Sequence, residues 1–259
     1  KTWHAKYIRV ENKEKIEEAR KRMLELLHAK SGKIIFTGGG SEADNLAIKG
    51  FVWANRKKGN HIITSKIEHH AVLSTCEYLE KQGYKVTYLP VDKNGIVDLE
   101  ELERSIQKDT ILISIMFANN ETGVIQPIKE ISEIAHRYNI TFHTDAVQVV
   151  GKIDIDVEDL GIDLLTLSAH KFYGPKGVGA LFVRSGVKLD PLIHGGGQEK
   201  GLRSGTENIA GIIGCVKALE ISLRNWKWHF ERERKLRDML EKGILEIISD
   251  VTINGKDAN

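Results

Sequence analysis

Apolar positions recur along the chain in two rhythms. In Glu14–Ala29, Ile16, Ala19, Met23, Leu26 and Leu27 fall on one stripe at helical spacing, which predicts a helix. Lys33–Thr37 is a short apolar strand closed by Gly38, Gly39 and Gly40. Ser41 opens a second helix, with Asp44 three residues on as a near capping box. Its expected buried face is Ala43, Leu46, Ala47, Gly50, Phe51 and Ala54.

The same unit then repeats. Strands are predicted at His61–Ser65, Lys85–Pro90, Ile111–Ala118, Thr141–Asp145, Leu164–Ser168 and Val178–Val183. Between them lie helices over Ala71–Lys81, from an Asp98 cap to Ile106, and from Pro127 to Tyr138. This order predicts an α/β fold, a mostly parallel sheet covered by helices on both faces. From Ile209 the pattern becomes a long helical stretch, with Trp226, Phe230, Leu236, Leu240 and Ile244 as its apolar contacts. Val251–Ile253 reads as one strand opening a new small sheet. The expected division is a large domain over 14–208, then a helical connection and the start of an incomplete small domain over 209–259.

Composition narrows the classes. The chain has 259 residues, 41% hydrophobic and 29% charged, with a net charge of +2. That size allows a sizeable core, with about 11,000 Å² left exposed when folded. The near-neutral balance gives no electrostatic case for nucleic acid or an acidic membrane surface. No apolar run approaches the ~18 residues of a membrane span, and charges throughout the first turns argue against a secretory leader. Cys76 and Cys215 are too few for a disulfide framework and lack metal-ligand spacing, so a reducing, cytoplasmic setting is expected. Glu68-His69-His70 is not a zinc-binding His-Glu-x-x-His pattern, and no metal is expected. The chain opens on Lys1 without a methionine and closes on a turn-like Asn254–Asn259, so it is expected to be a fragment.

Parallel α/β sheets bind ligands beyond the carboxyl ends of their strands. Gly38–Ser41, His69, Asn119-Asn120, Asp145 and His170-Lys171 all fall at such ends. A glycine run at a helix start lets backbone N–H groups approach a phosphate, although a plain tight turn has the same sequence. A dinucleotide is disfavoured because no acidic residue sits at the expected distance; the nearest, Glu68, comes too late. Asp145 is either a helix cap or a carboxylate holding a ring nitrogen protonated. Lys171 is either a solvated surface charge or, if desolvated, a nucleophile for an aldehyde. Together an anion site, a carboxylate and a lysine specify pyridoxal 5′-phosphate.

Six motifs in order carry a family resemblance: Gly-Gly-Gly-Ser-Glu-Ala-Asp-Asn45, Ile-Glu-His-His-Ala71, Ala-Asn-Asn-Glu-Thr-Gly123, His-Thr-Asp-Ala-Val-Gln148, Ser-Ala-His-Lys171 and His-Gly-Gly-Gly-Gln-Glu-Lys-Gly-Leu-Arg-Ser-Gly-Thr206. The chain resembles the cysteine desulfurases, fold-type-I pyridoxal-phosphate enzymes of the class V aminotransferase group. The last motif is the most specific. The resemblance implies that Lys171 is the Schiff-base lysine, Asp145 the partner of the pyridine nitrogen and Gln148 that of the ring phenolate oxygen. His69 would stack on the ring and help move protons; its other reading is a surface histidine at a helix start. Gly40, Ser41, Ser168 and His170 would bind phosphate, and Asn120 would lie on the oxygen side of the cofactor, though an Asn-Asn pair also makes a turn. Thr206 would reach the phosphate of a neighbouring subunit, implying a homodimer; by spacing alone Arg203–Thr206 is a helix-start cap.

The implied reaction takes sulfur from L-cysteine, leaving L-alanine and an enzyme persulfide for iron–sulfur or thio-cofactor assembly, with sulfur-acceptor or scaffold proteins as partners. A selenocysteine lyase, a class V aminotransferase, or a non-catalytic fragment that binds the cofactor are the alternatives. Three departures bear on this. Ser41 stands where the family usually has threonine, a change that keeps the hydroxyl. Lys1–Lys13 matches neither the family's opening Asn-Ala-Ala-Thr-Thr segment nor its later Asn-Pro-Ser-Ser-like loop. The family's persulfide cysteine and substrate-binding arginine would both fall beyond Asn259. Cys76 and Cys215 are in phase with Leu79 and Leu219 and are expected to be small buried hydrophobes, not the sulfur acceptor.

Overall fold

Seven strands form one mixed sheet in the computed structural model, which describes residues 2–256 and 258. They are β1 (Lys33–Thr37), β2 (His61–Ser65), β3 (Lys85–Leu89), β4 (Thr110–Ser114), β5 (Thr141–Asp145), β6 (Leu164–Ser168) and β7 (Gly179–Val183). The order is β1-β7-β6-β5-β4-β2-β3. β3, β2, β4, β5 and β6 run parallel, whereas β7 pairs antiparallel with both β6 and β1. β2, β4, β6 and β7 are buried at every residue, as strands covered on both faces must be.

Each face carries its own apolar cluster. One joins Met23 of α1 (Thr2–Leu26) and Leu27 just after it, Ile131 and Ala135 of α6 (Ile128–Arg137), and Phe142 of β5. The other joins Leu46, Phe51 and Val52 to Val72 and Leu79 of α4 (His70–Lys81). Between β3 and β4, α5 (Leu99–Arg104) starts as expected at Asp98, whose carboxylate accepts from the N–H groups of Glu100 and Glu101. α1 ends three residues before the expected Ala29. His28 adopts φ 55°, and the Ala29 N–H closes on Leu24 O while His28 N–H closes on Glu25 O.

The second helix differs instructively from its sequence pattern. It runs as α2 (Gly40–Asn45), one π-helical turn (Leu46–Gly50), then α3 (Phe51–Asn55). The wider turn rotates the buried stripe, so Ile48, Val52 and Asn55 are buried while Ala54 is only half-buried. Asp44 forms no capping box; it is buried, and the N-cap is Gly39.

At the C-terminal side, α7 (Ile209–Arg224) packs against α1 and places Ile212, Cys215, Val216 and Leu219 in the first cluster. That core is thus continuous across residue 208, where the sequence pattern suggests a boundary. α8 (Trp226–Ile247) buries no residue, and its expected contacts Phe230, Leu236, Leu240 and Ile244 are exposed. Residues 251–253 are not a strand. The pattern is apolar enough, but no described strand lies alongside to complete a ladder. Lys1, Asp257 and Asn259, at the ends of the expected segments, lie outside the described residues.

Candidate functional site

The strand ends converge as the parallel topology requires. A cavity of ≈ 370 Å³ is lined by Gly40, Ser41, His69, Asn120, Asp145, Gln148, Ser168, His170 and Lys171. Every cofactor contact implied by the resemblance lies in its wall except Thr206, which is exposed on the loop before α7; Gly38, Gly39 and Asn119, also at strand ends, fall outside it. Asp44, Met116 and Val147 also line it, and the sequence motifs do not point to them as contacts. Met116 could have been found from the apolar stretch after β4. Asp44 gave only a helix-start signal.

Local chemistry fixes most of these groups. His69 is the N-cap of α4, and its ring Nδ1 accepts from the Ala71 N–H at 3.0 Å. That bond puts the proton of the neutral ring on Nε2. The helix-start and functional readings of His69 are therefore one arrangement. Asn119 makes the turn, with Oδ1 accepting from the Glu121 and Thr122 N–H groups, while Asn120 faces the cavity. Ser168 Oγ and His170 Nδ1 lie 3.0 Å apart. Lys171 stands on a 3-10 turn (Ala169–Phe172) and is exposed, so burial does not desolvate it as the sequence reading required for a nucleophile.

Beneath the cavity lies a buried acidic floor. Asp145 is buried and its Oδ1 accepts from the Val147 N–H at 2.9 Å. Burial holds its carboxyl above the ordinary value, although the Val147 N–H and, more weakly, the neighbouring His69 and Lys171 act the other way. Burial holds Asp44 well above the ordinary carboxylate range, with repulsion from Asp145 adding to it, so Asp44 is the member of the pair that more readily keeps its proton. Glu68 is pushed up to about 8, chiefly by burial, although its Oε1 accepts from Ser65 Oγ and the Met116 N–H. His143, wholly buried, is pushed down to about 3 and stays neutral between Ser114 Oγ and Thr166 Oγ1.

These residues fit pyridoxal phosphate. A lysine amine, a buried carboxylate and hydroxyl and amide donors share one wall. At Gly40 an added Cβ would come within 2.9 Å of Val147 Cγ2, so a side chain there would crowd the cavity wall. Cys76 and Cys215 lie elsewhere, both buried, with thiols pushed up to about 12 by burial. Among the described residues no group of three or more metal-ligating side chains exists, and no helix is long and apolar enough to cross a membrane.

Comparison with known proteins agrees with the geometry. A cysteine desulfurase IscS of Clostridium botulinum is 57% identical over 243 residues, covering 94% of this chain and 61% of that protein. A solved NifS-like protein superposes with a TM-score of 0.88 at 44% identity, covering 92% of this chain and 66% of that one. The structure of SspA in complex with cysteine gives a TM-score of 0.78 at 47% identity, covering 81% of this chain and 61% of that one. The chain thus spans about three fifths of the length of the curated relatives it matches. The family model described as Aminotransferase class-V matches residues 4–259, and the chain belongs to that family.

Proposed function

We propose that this chain forms the cofactor-binding body of a cysteine desulfurase that converts L-cysteine to L-alanine and a protein-bound persulfide. The observation that carries the reading is the meeting of Lys171, Asp145, His69 and the glycine turn in one cavity. Similarity to cysteine desulfurases, and to a protein solved with cysteine bound, supports the choice of substrate. When bound, pyridoxal phosphate supplies an aldehyde and an electron-withdrawing ring that stabilises charge released on the substrate.

The chain's own groups divide the work. Lys171 Nζ holds the cofactor and moves protons at the cavity mouth. Asp145 keeps a proton on the ring nitrogen, its charge opposed by little else on the acidic floor. Gln148 and Asn120 orient the ring edge, and His69 Nε2–H faces the ring side with its tautomer fixed by Ala71. Gly40, Ser41, Ser168 and His170 hold the phosphate. Neither cysteine can attack the substrate sulfur, since both thiols are buried and protonated at neutral pH. The sulfur-accepting thiol therefore comes from outside these two residues, and the 259-residue chain alone is expected to desulfurate cysteine poorly.

The exposure of Thr206 outside the cavity supports a homodimer in which it reaches the partner's phosphate site. A cytoplasmic setting, a large body over 14–208 with a helical continuation, and delivery of sulfur to acceptor or scaffold proteins complete the proposal. The test is direct. Protein supplied with pyridoxal phosphate should absorb in the near-visible range, and borohydride should fix the label on Lys171. A label on another lysine, or none, refutes the reading; sedimentation showing a cofactor-saturated monomer refutes the dimer.

A further inference from the structure

Glu42 sits in the first turn of α2, on the groove formed by Gly38–Ser41, Ser168 and His170. A carboxylate is the wrong charge beside a phosphate. Here it is tied down from two sides. Its Oε2 accepts from the Gly38 N–H at 2.9 Å, and Arg203 grips it with Nε on Oε1 at 2.8 Å and Nη2 on Oε2 at 3.3 Å. The pair is about three-quarters buried, with 26% and 24% of the two side chains exposed. A Cβ at Gly38 would meet Glu42 Oε2 at 2.8 Å, so a side chain there would push the carboxylate aside.

Arg203 is itself held from behind. Its loop is pinned by Glu199, whose carboxylate accepts from the Arg20 guanidinium and, at 2.9 Å, from the Phe36 N–H at the end of β1. Two charge-assisted clusters, Arg20–Glu199 and Arg203–Glu42, therefore anchor the loop that carries Thr206 to α1 on one side and to the glycine turn on the other. We propose that the Glu42–Arg203 pair is a positioning strut that makes the glycine turn selective for a phosphorylated ligand, fixing its backbone while cancelling the Glu42 charge. This rests on the pyridoxal-phosphate reading of the site.

A strut that only held the fold would affect all ligands alike; charge cancellation makes a different prediction. The test compares binding of pyridoxal phosphate and of unphosphorylated pyridoxal by absorbance titration. Arg203→Gln exposes an uncompensated carboxylate and should weaken pyridoxal phosphate about tenfold or more while leaving pyridoxal within about twofold. Adding Glu42→Gln to it should restore most of that loss. Glu42→Gln alone, which serves if Arg203→Gln does not fold, should leave the preference for the phosphorylated ligand equal or higher. Equal losses for both ligands, a double variant no better than Arg203→Gln, or a lowered preference in Glu42→Gln would each overturn the strut. An unsubstituted chain that binds neither compound refutes the cofactor reading itself, and the strut with it; binding of both with unchanged selectivity in the variants refutes the strut alone.

Discussion

The floor of the cavity and helix α8 both mix apolar with polar residues, α8 being far richer in charge, and they end in opposite states. Around β4, β5 and β6 the polar side chains beneath the cavity are enclosed: His143 between Ser114 and Thr166, Glu68 on Ser65 and Met116, Asp44 against Asp145. Along α8, Trp228, Met239, Leu240 and Ile247 face solvent at 59%, 62%, 66% and 85% exposure. The chain as a whole exposes 14384 Å², above the about 11,000 Å² expected of its size, and α8 is one reason. Amphipathic pattern decides whether a helix forms. Whether its apolar stripe is buried depends on what lies opposite.

The largest effects should fall on the cavity. Lys171→Ala should abolish borohydride labelling and bring cofactor-dependent chemistry to background. Asp145→Asn should keep the cofactor but lower turnover by about 10²-fold or more, because an amide cannot balance a protonated ring nitrogen in a buried site. Spectra and amino-acid turnover of the two variants separate loss of attachment from loss of charge. If Asp145→Asn lost the cofactor altogether, the floor would be holding the ligand and not tuning it.

Next in size is packing beneath the cavity. Phe142 is wholly buried near the start of β5, and Phe142→Ala should cost about 3–5 kcal/mol, the lost burial plus the hole left behind. Urea unfolding monitored by circular dichroism measures it. A cost below about 1 kcal/mol would mean that the sheet relaxes around the gap and that the floor is softer than its enclosure implies.

The acidic floor also gives stability a pH dependence. Glu68 titrates at about 8 in the folded chain, but near about 4.3 once unfolded. Between those values the native state keeps a proton that the unfolded state has lost. Stability from this group is therefore full below about pH 4 and falls as pH rises through about 8. Glu68→Gln cannot titrate, yet its side-chain oxygen can still accept from Ser65 and Met116. The variant should gain on the parent by a few kcal/mol, roughly, between about pH 5 and pH 8. Parallel stability curves would assign the dependence to another group.

These two regions also differ in how well the sequence announces them. β1, β2, β5 and β6 are legible to the residue, because each is an apolar run bounded by glycine or polar positions. The run Ile111–Ala118 reads as one strand, but β4 stops at Ser114. Ile115 and Phe117 continue to hydrogen-bond to His143 O and Asp145 O outside the regular ladder, and burial keeps them apolar. Position at strand ends points to His69, Asp145 and Lys171, and the three line one cavity. Asp44 escaped because an acidic residue early in a helix has the same local pattern whether it caps the helix or is buried beneath a ligand cavity. Helix α8 was legible as a helix, and only its neighbours were not.

The smallest effect is expected on α8, and it tests the comparison from the other side. Leu240 lies mid-helix with 66% of its surface exposed and belongs to neither apolar cluster. Leu240→Gln keeps a straight-chain residue of good helix propensity and removes an apolar group already in water. Its stability change should stay within about 0.5 kcal/mol, as for exposed positions generally. Run beside Phe142→Ala under the same urea conditions, it isolates burial from residue type, since both side chains are large and apolar. A loss of about 2 kcal/mol or more would mean that α8 is covered in solution, by a second copy of the chain or by another part of the protein. The dependence of that loss on protein concentration separates the two: an intermolecular cover weakens on dilution, an intramolecular one does not.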